Sequence, residues 1–132
     1  MLSKWITSIG LLFVSTQALA IECPATFGSD DYYENVVAAI RSATSCRDGA
    51  ELAAACALGS SFDPNITVVA ERKCGLDFWQ KLSAAEKTHY NHLQTKCDNK
   101  YKDMQGTMYI SANAFCKLRI AELYSDLYLP AE

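Results

Sequence analysis

Six cysteines constrain this chain more than any other feature. They are Cys23, Cys46, Cys56, Cys74, Cys97 and Cys116. An even number of cysteines in a small exported domain predicts that all are paired, and each disulfide stabilises by about 2–4 kcal/mol. The spacing leaves every pairing open. No Cys-x-x-Cys pair is present to begin a zinc site, so disulfides are favoured over metal binding.

The first twenty residues predict a cleavable secretory signal. Lys4 comes first, a mostly apolar stretch runs from Trp5 to Val14, and Ala18-Leu19-Ala20 forms a cleavage site of the A-x-A type. The stretch is shorter than the roughly 20 apolar residues that a membrane-spanning helix needs. We therefore predict a signal peptide over residues 1–20 and a single domain over residues 21–132, with no membrane attachment after cleavage.

The predicted mature domain is acidic. Residues 1–20 contain one lysine and no acidic residue, so 11 of the 12 basic and all 15 acidic residues remain, a formal net charge of −4. Nucleic acids and anionic membrane surfaces both require a basic face, so neither is expected as a partner. A basic protein would be attracted instead.

The fold class predicted by the sequence is all-α: a small disulfide-stapled bundle of four to five helices. Apolar residues recur at spacings of three and four, and no stretch shows sustained apolar–polar alternation with β-branched enrichment. Helix starts are predicted at Asp30-Asp31, at Asp48 with Glu51 as a capping-box pair, at Asp63-Pro64, at the capping box Ser83 to Glu86, and near Thr107.

The last two helices are predicted to form an antiparallel hairpin around Gly106. Gly75 is a predicted break or bend in the third helix. In the last helix, from about Thr107 to Leu127, the periodicity predicts a core face made of Ala112, Phe115, Cys116, Ile120, Leu123 and Leu127. Cysteines on such faces predict disulfides buried between helices.

No set of catalytic residues emerges from the sequence, and no enzyme activity or cofactor is expected. His89 and His92 lie three residues apart with Glu86 one turn earlier, a spacing that could offer metal ligands. The preferred interpretation is two solvated histidines beside a core stripe, because no convincing third ligand follows. A catalytic cysteine would need a free thiol, which six paired cysteines do not leave.

Two stretches resemble the LprI-like lysozyme-inhibitor family. The first runs from Gln105 to Cys116, where a glutamine precedes an apolar helix whose final cysteine lies eleven residues after that glutamine. The second is the Cys46 to Ala57 stretch with Glu51 between its cysteines. The family usually has tryptophan at the position of Met108 and an Arg-Asp pair at 112–113. It has no counterpart of Cys23, Cys74 and Cys97. The resemblance implies a small helical exported protein that binds lysozyme.

The leading hypothesis is an exported binding protein of the periplasm or cell exterior, and specifically an inhibitor of lysozyme or another basic cell-wall hydrolase. Glu122, Asp126, Tyr124 and Tyr128 on the last helix are predicted to form part of the partner-binding face, since tyrosine is favoured in protein contacts. The alternatives are a periplasmic immunity protein that neutralises a secreted toxin, or a structural exported domain.

Overall fold

The computed structural model describes residues 21–129, and this part of the chain folds as the predicted all-α bundle. The predicted signal peptide lies outside the described residues. Five α-helices follow one another with no strand between residues 21 and 129. They are α1 (Tyr32–Ser42), α2 (Cys46–Ala55), α3 (Asp63–Phe78), α4 (Ala84–Tyr101) and α5 (Thr107–Tyr128), with a short 3-10 turn (Trp79–Lys81) between α3 and α4.

Helices α3 and α5 form the centre of the bundle and run parallel. Asp63 accepts a hydrogen bond from Ser111, and one helix length further on Asp77 accepts one from Ser125. Both pairs are separated by 48 residues, so the two helices progress in the same direction. Buried side chains of α1, α2 and α3 complete the core. They include Val36, Ile40, Ala53, Ile66 and Phe78.

The buried face of α5 differs from the predicted one. Leu123 and Leu127 are 63% and 75% exposed, whereas small residues occupy most of the core positions. Their spacing alternates between three and four, as in closely packed helices. Small residues are buried on this face because α5 packs tightly between α3 and α4. Small side chains allow the helices to approach one another closely. The buried positions of α5 are Ser111, Ala114, Leu118, Ala121 and Ser125.

The predicted hairpin of α4 and α5 is confirmed. Ser83 and Glu86 form the capping box that begins α4, and Gly106, with φ 112°, precedes α5. Cross-helix contacts pair the start of α4 with the end of α5, as in the hydrogen bond from Tyr128 to Glu86. The two helices are therefore antiparallel, as an αα-hairpin requires.

Three local predictions need correction. Helix α2 begins at Cys46 with Ser45 as its N-cap, because the Ser45 side chain accepts a hydrogen bond from the backbone of Asp48. Asp63 is the first residue of α3 rather than its N-cap, and its carboxylate binds the preceding loop. Gly75 neither breaks nor ends α3, which continues to Phe78.

Three disulfides join the elements, and all six cysteines are paired. Two of them connect helices directly: Cys46–Cys74 joins α2 to α3, and Cys97–Cys116 joins α4 to α5. The third, Cys23–Cys56, ties the N-terminal segment to the end of α2. Such cross-links are typical of an oxidising, exported environment. Within residues 21–129, no helix combines the length and the apolar character needed to cross a membrane.

Candidate functional site

A disulfide tethers the N-terminal segment to one end of the bundle. The Cys23–Cys56 disulfide anchors it, and the Tyr32 hydroxyl donates a hydrogen bond of 2.8 Å to the carbonyl oxygen of Cys56. A tight turn follows, in which Gly28 adopts a φ of 86° that glycine tolerates best. The turn spans residues 26–29, because the Ser29 N–H donates to the Thr26 carbonyl oxygen, and it holds Phe27 at the surface.

Aromatic rings cover this end of the molecule. Phe27 packs edge-on against Tyr32 with ring centroids 5.8 Å apart, and Tyr32 and Tyr33 both contact Phe62 at the start of α3. Phe27 is nevertheless 73% exposed, and Tyr33 is exposed as well. Phe27 and Tyr33 thus give this end two exposed aromatic side chains, a residue type that is enriched in protein contacts.

Acidic residues lie close in sequence to these rings. Glu22, Asp30, Asp31 and Glu34 are all exposed, and residues 21–40 contain no lysine, arginine or histidine. Asp30, Asp31 and Glu34 complement the positive end of the α1 dipole, but Asp31 at the N-cap makes no capping hydrogen bond. None of the three salt bridges within residues 21–129 uses these four acids. We call Phe27, Tyr33 and these carboxylates the acidic–aromatic end.

The acidic–aromatic end was not predicted as a binding surface from the sequence. Its acidic character can be seen in the sequence, because the stretch from Ile21 to Ile40 contains four acidic residues and no basic residue. The exposure of Phe27 could not be predicted from the sequence, since it depends on the disulfide partner of Cys23 and on the turn at Gly28.

The predicted acidic pair Glu122 and Asp126 lies on one side of α5. The negative charge of each carboxylate is already balanced by a salt bridge within the protein. Glu122 accepts from Arg119 at 2.7 Å, and Asp126 pairs with Arg47 at 3.0 Å. Together with Glu51 and Leu123 they line a surface cleft of about 290 Å³. Opposite charges within this cleft leave it with little net field to attract a basic partner.

The predicted tyrosine pair lies on a different side of α5. Tyr124 packs edge-on against Tyr90 and at a tilt against Phe78, and it lies against the core. Tyr128 donates a hydrogen bond of 2.7 Å to Glu86, which raises the pKa of Tyr128. Glu122 thus lies near Asp126, and Tyr124 lies near Tyr128, but the acidic pair and the tyrosine pair are on different sides of α5. Their role in partner binding stays a prediction.

His89 and His92 are exposed on α4. Glu86, the third member of that predicted group, is occupied elsewhere: it accepts from the Ser83 backbone at 2.7 Å and from Tyr128. The hydrogen bonds from Ser83, followed by that from Tyr128, lower the pKa of Glu86 to about 2. Among the residues described, no three side chains of the histidine, cysteine or acidic types are placed to hold a metal ion.

Fold and site together define a small helical domain stapled by disulfides, with an acidic–aromatic surface at one end. Compared with known proteins, the sequence matches no family, no curated protein and no solved structure. The resemblance to the lysozyme-inhibitor family therefore stays a prediction based on the two stretches that suggested it.

Proposed function

We propose that this chain is an exported protein-binding domain that inhibits a basic cell-wall hydrolase of the lysozyme type. One observation carries the proposal: Phe27, packed against Tyr32, is 73% exposed on a disulfide-anchored segment whose exposed acids have no salt-bridge partner within residues 21–129. Apolar side chains at the centre of a polar rim are the usual anatomy of a protein interface.

The charge of this end favours a basic partner. Carboxylates that are not neutralised within the protein keep their field available to a partner, which speeds encounter and excludes acidic competitors. The exposed rings of Phe27 and Tyr33 would then supply the buried centre of the contact. Binding across the mouth of the substrate cleft would inhibit the enzyme without any catalysis by this chain.

Export supports the same assignment. The predicted signal over residues 1–20 and the three disulfides support an exported fold, and a target in the periplasm or beyond the cell is consistent with both. An immunity protein against a secreted toxin would have the same surface and the same compartment. A toxin gene beside this one would favour that alternative.

The test is inhibition of lysozyme hydrolysis of cell-wall substrate by the oxidised domain, measured at low and moderate salt. The surface variant Asp30→Asn/Asp31→Asn/Glu34→Gln removes three carboxylates from the acidic–aromatic end. A matched control, Glu51→Gln/Glu122→Gln/Asp126→Asn, removes three carboxylates from the cleft on α5.

We expect saturable inhibition by the wild type and at least a tenfold loss of potency in the first variant, from one or more lost charge contacts. The control should lose less than about threefold, because two of its acids are compensated in the free protein. No inhibition by the wild type at high molar excess would overturn the proposal. The reverse order of the two variants would move the interface to α5.

A further inference from the structure

A second cleft, of about 390 Å³, follows the seam between α3 and α5. Because these helices are parallel, its lining residues can be ordered along it. The end near the helix starts is apolar and includes Pro64 and Ile110, with Val68 partly open to solvent. The other end carries Glu71 and Lys117, the two charged residues of the lining.

Lys117 forms no salt bridge with Glu71. Its ammonium nitrogen lies 2.6 Å from Oδ1 of Asp98, and the same oxygen accepts a hydrogen bond of 2.9 Å from the Asn113 amide. Asp98 therefore neutralises Lys117 on the far side of α5. These two hydrogen bonds, with the one from Asn113 contributing most, lower the pKa of Asp98.

Glu71 is partly buried and takes part in none of the salt bridges found within residues 21–129. Burial raises its pKa to about 7, against the opposing influence of Lys117. The group facing it from α4 is Tyr90, whose hydroxyl accepts a hydrogen bond from Gln94. Burial, and then the charge of Glu71, raises the pKa of Tyr90 to about 12, so Tyr90 stays neutral.

We propose that this cleft binds an ammonium or guanidinium group carried on an aliphatic stem, with Glu71 contacting the cation and Val68 and Ile110 packing the stem. Such a ligand would give the Glu71 carboxylate a salt-bridge partner and would cover the apolar wall with methylene groups. The cation could belong to a free amine or to a lysine or arginine of a partner, and only the second source rests on the proposed function.

Binding is coupled to the ionisation of Glu71. A cation beside the carboxylate favours its charged form, so the ligand lowers the pKa of Glu71 and releases a proton on binding near neutral pH. At pH 5.5 most of Glu71 is protonated, and the apparent affinity falls with the ionised fraction, by roughly tenfold or more relative to pH 8.

The experiment is an NMR titration of the oxidised domain at pH 8 and pH 5.5. The probes are agmatine, an alkylguanidinium, and the blocked peptide Ac-Gly-Gly-Arg-Gly-Gly-NH2. The signals to follow are the carboxyl carbon of Glu71 and the side-chain amide of Asn113. We expect saturable shifts at pH 8, weaker binding at pH 5.5 and a lowered pKa of Glu71 in the complex.

Three variants make the assignment specific. Glu71→Gln should lose binding at least tenfold. Lys117→Gln should bind severalfold more tightly, because it removes a positive charge from the lining. Asp103→Asn, which removes an exposed carboxylate that belongs to neither proposed binding surface, should bind as the wild type does.

Binding of both probes would identify a partner side chain as a possible source of the cation, and binding of agmatine alone would restrict the site to free amines. Failure of both probes to bind the wild type, or unchanged binding by Glu71→Gln, would overturn the proposal. The titration uses no hydrolase, so its failure would not contradict the proposed inhibition. Equally, a failed inhibition assay would not contradict cation binding in the cleft.

Discussion

The carboxylate of Asp63 accepts a hydrogen bond from the hydroxyl of Ser111 in the interior, between the first turns of α3 and α5. Asp63 is completely buried. Its oxygens also accept from the backbone N–H groups of Leu58, at 2.8 Å, and Gly59, at 2.9 Å. One side chain thus joins the loop before α3 to the start of the last helix.

We predict that Asp63→Ala lowers the free energy of unfolding by about 3 kcal/mol or more, because it leaves these donors buried without an acceptor. Urea unfolding at pH 7 measures the loss. Asp30→Ala, at an exposed position, is the control and should change stability by less than about 0.5 kcal/mol. Equal losses in the two variants would contradict the role given to Asp63.

Glu71 should make stability depend on pH. Its folded pKa of about 7 lies above the ordinary value, so the folded protein holds this proton more tightly than the unfolded chain does. The stability that this provides is fully present below about pH 4.5 and is lost as the pH rises through 7.

Replacing Glu71 with glutamine removes this dependence. Glu71→Gln should therefore leave stability near the wild-type value at pH 4 and raise it by roughly 1–2 kcal/mol at pH 8, after allowance for the partial exposure of the side chain. Chemical unfolding of both proteins across this range is the measurement. A difference that does not change with pH would mean that Glu71 titrates normally.

The disulfide between α2 and α3 should contribute strongly to stability. Cys46 and Cys74 are both buried, and their bond closes a loop of 28 residues in sequence separation. The variant Cys46→Ala/Cys74→Ala should lose about 2–4 kcal/mol, mainly because its unfolded chain is less constrained. Thermal unfolding under non-reducing conditions tests this, and a loss below about 1 kcal/mol would contradict it.

The capping box of α4 offers a smaller and sharper test. Ser83→Ala removes the acceptor of the Glu86 backbone N–H and should cost about 1 kcal/mol, whereas Ser83→Asp should retain most of the stability. Thermal unfolding of the two variants distinguishes them. Equal melting temperatures for alanine and aspartate at this position would show that the cap does not contribute.

Features encoded by local chemistry could be predicted from the sequence. The capping box at Ser83 and the break at Gly106 define the α4–α5 hairpin, because a cap and a positive φ are properties of a few neighbouring residues. The all-α class followed from apolar spacing in the same way.

Features that depend on neighbours distant in sequence could not be predicted. Leu123 is more apolar than Ser125, but Ser125 is buried because Asp77 lies opposite it on α3. The position of Phe27 depends on which cysteine pairs with Cys23. The compensation of Asp126 depends on Arg47, which is 79 residues away in sequence.

The proposal that the acidic–aromatic end binds a basic hydrolase can be checked by NMR mapping of the oxidised, isotope-labelled domain with unlabelled lysozyme. We predict that the largest backbone shift changes fall on residues 27–34, and that they shrink as salt is raised because the encounter is electrostatic. No change at saturating lysozyme, or changes confined to Glu122 and Asp126 on α5, would contradict the claim.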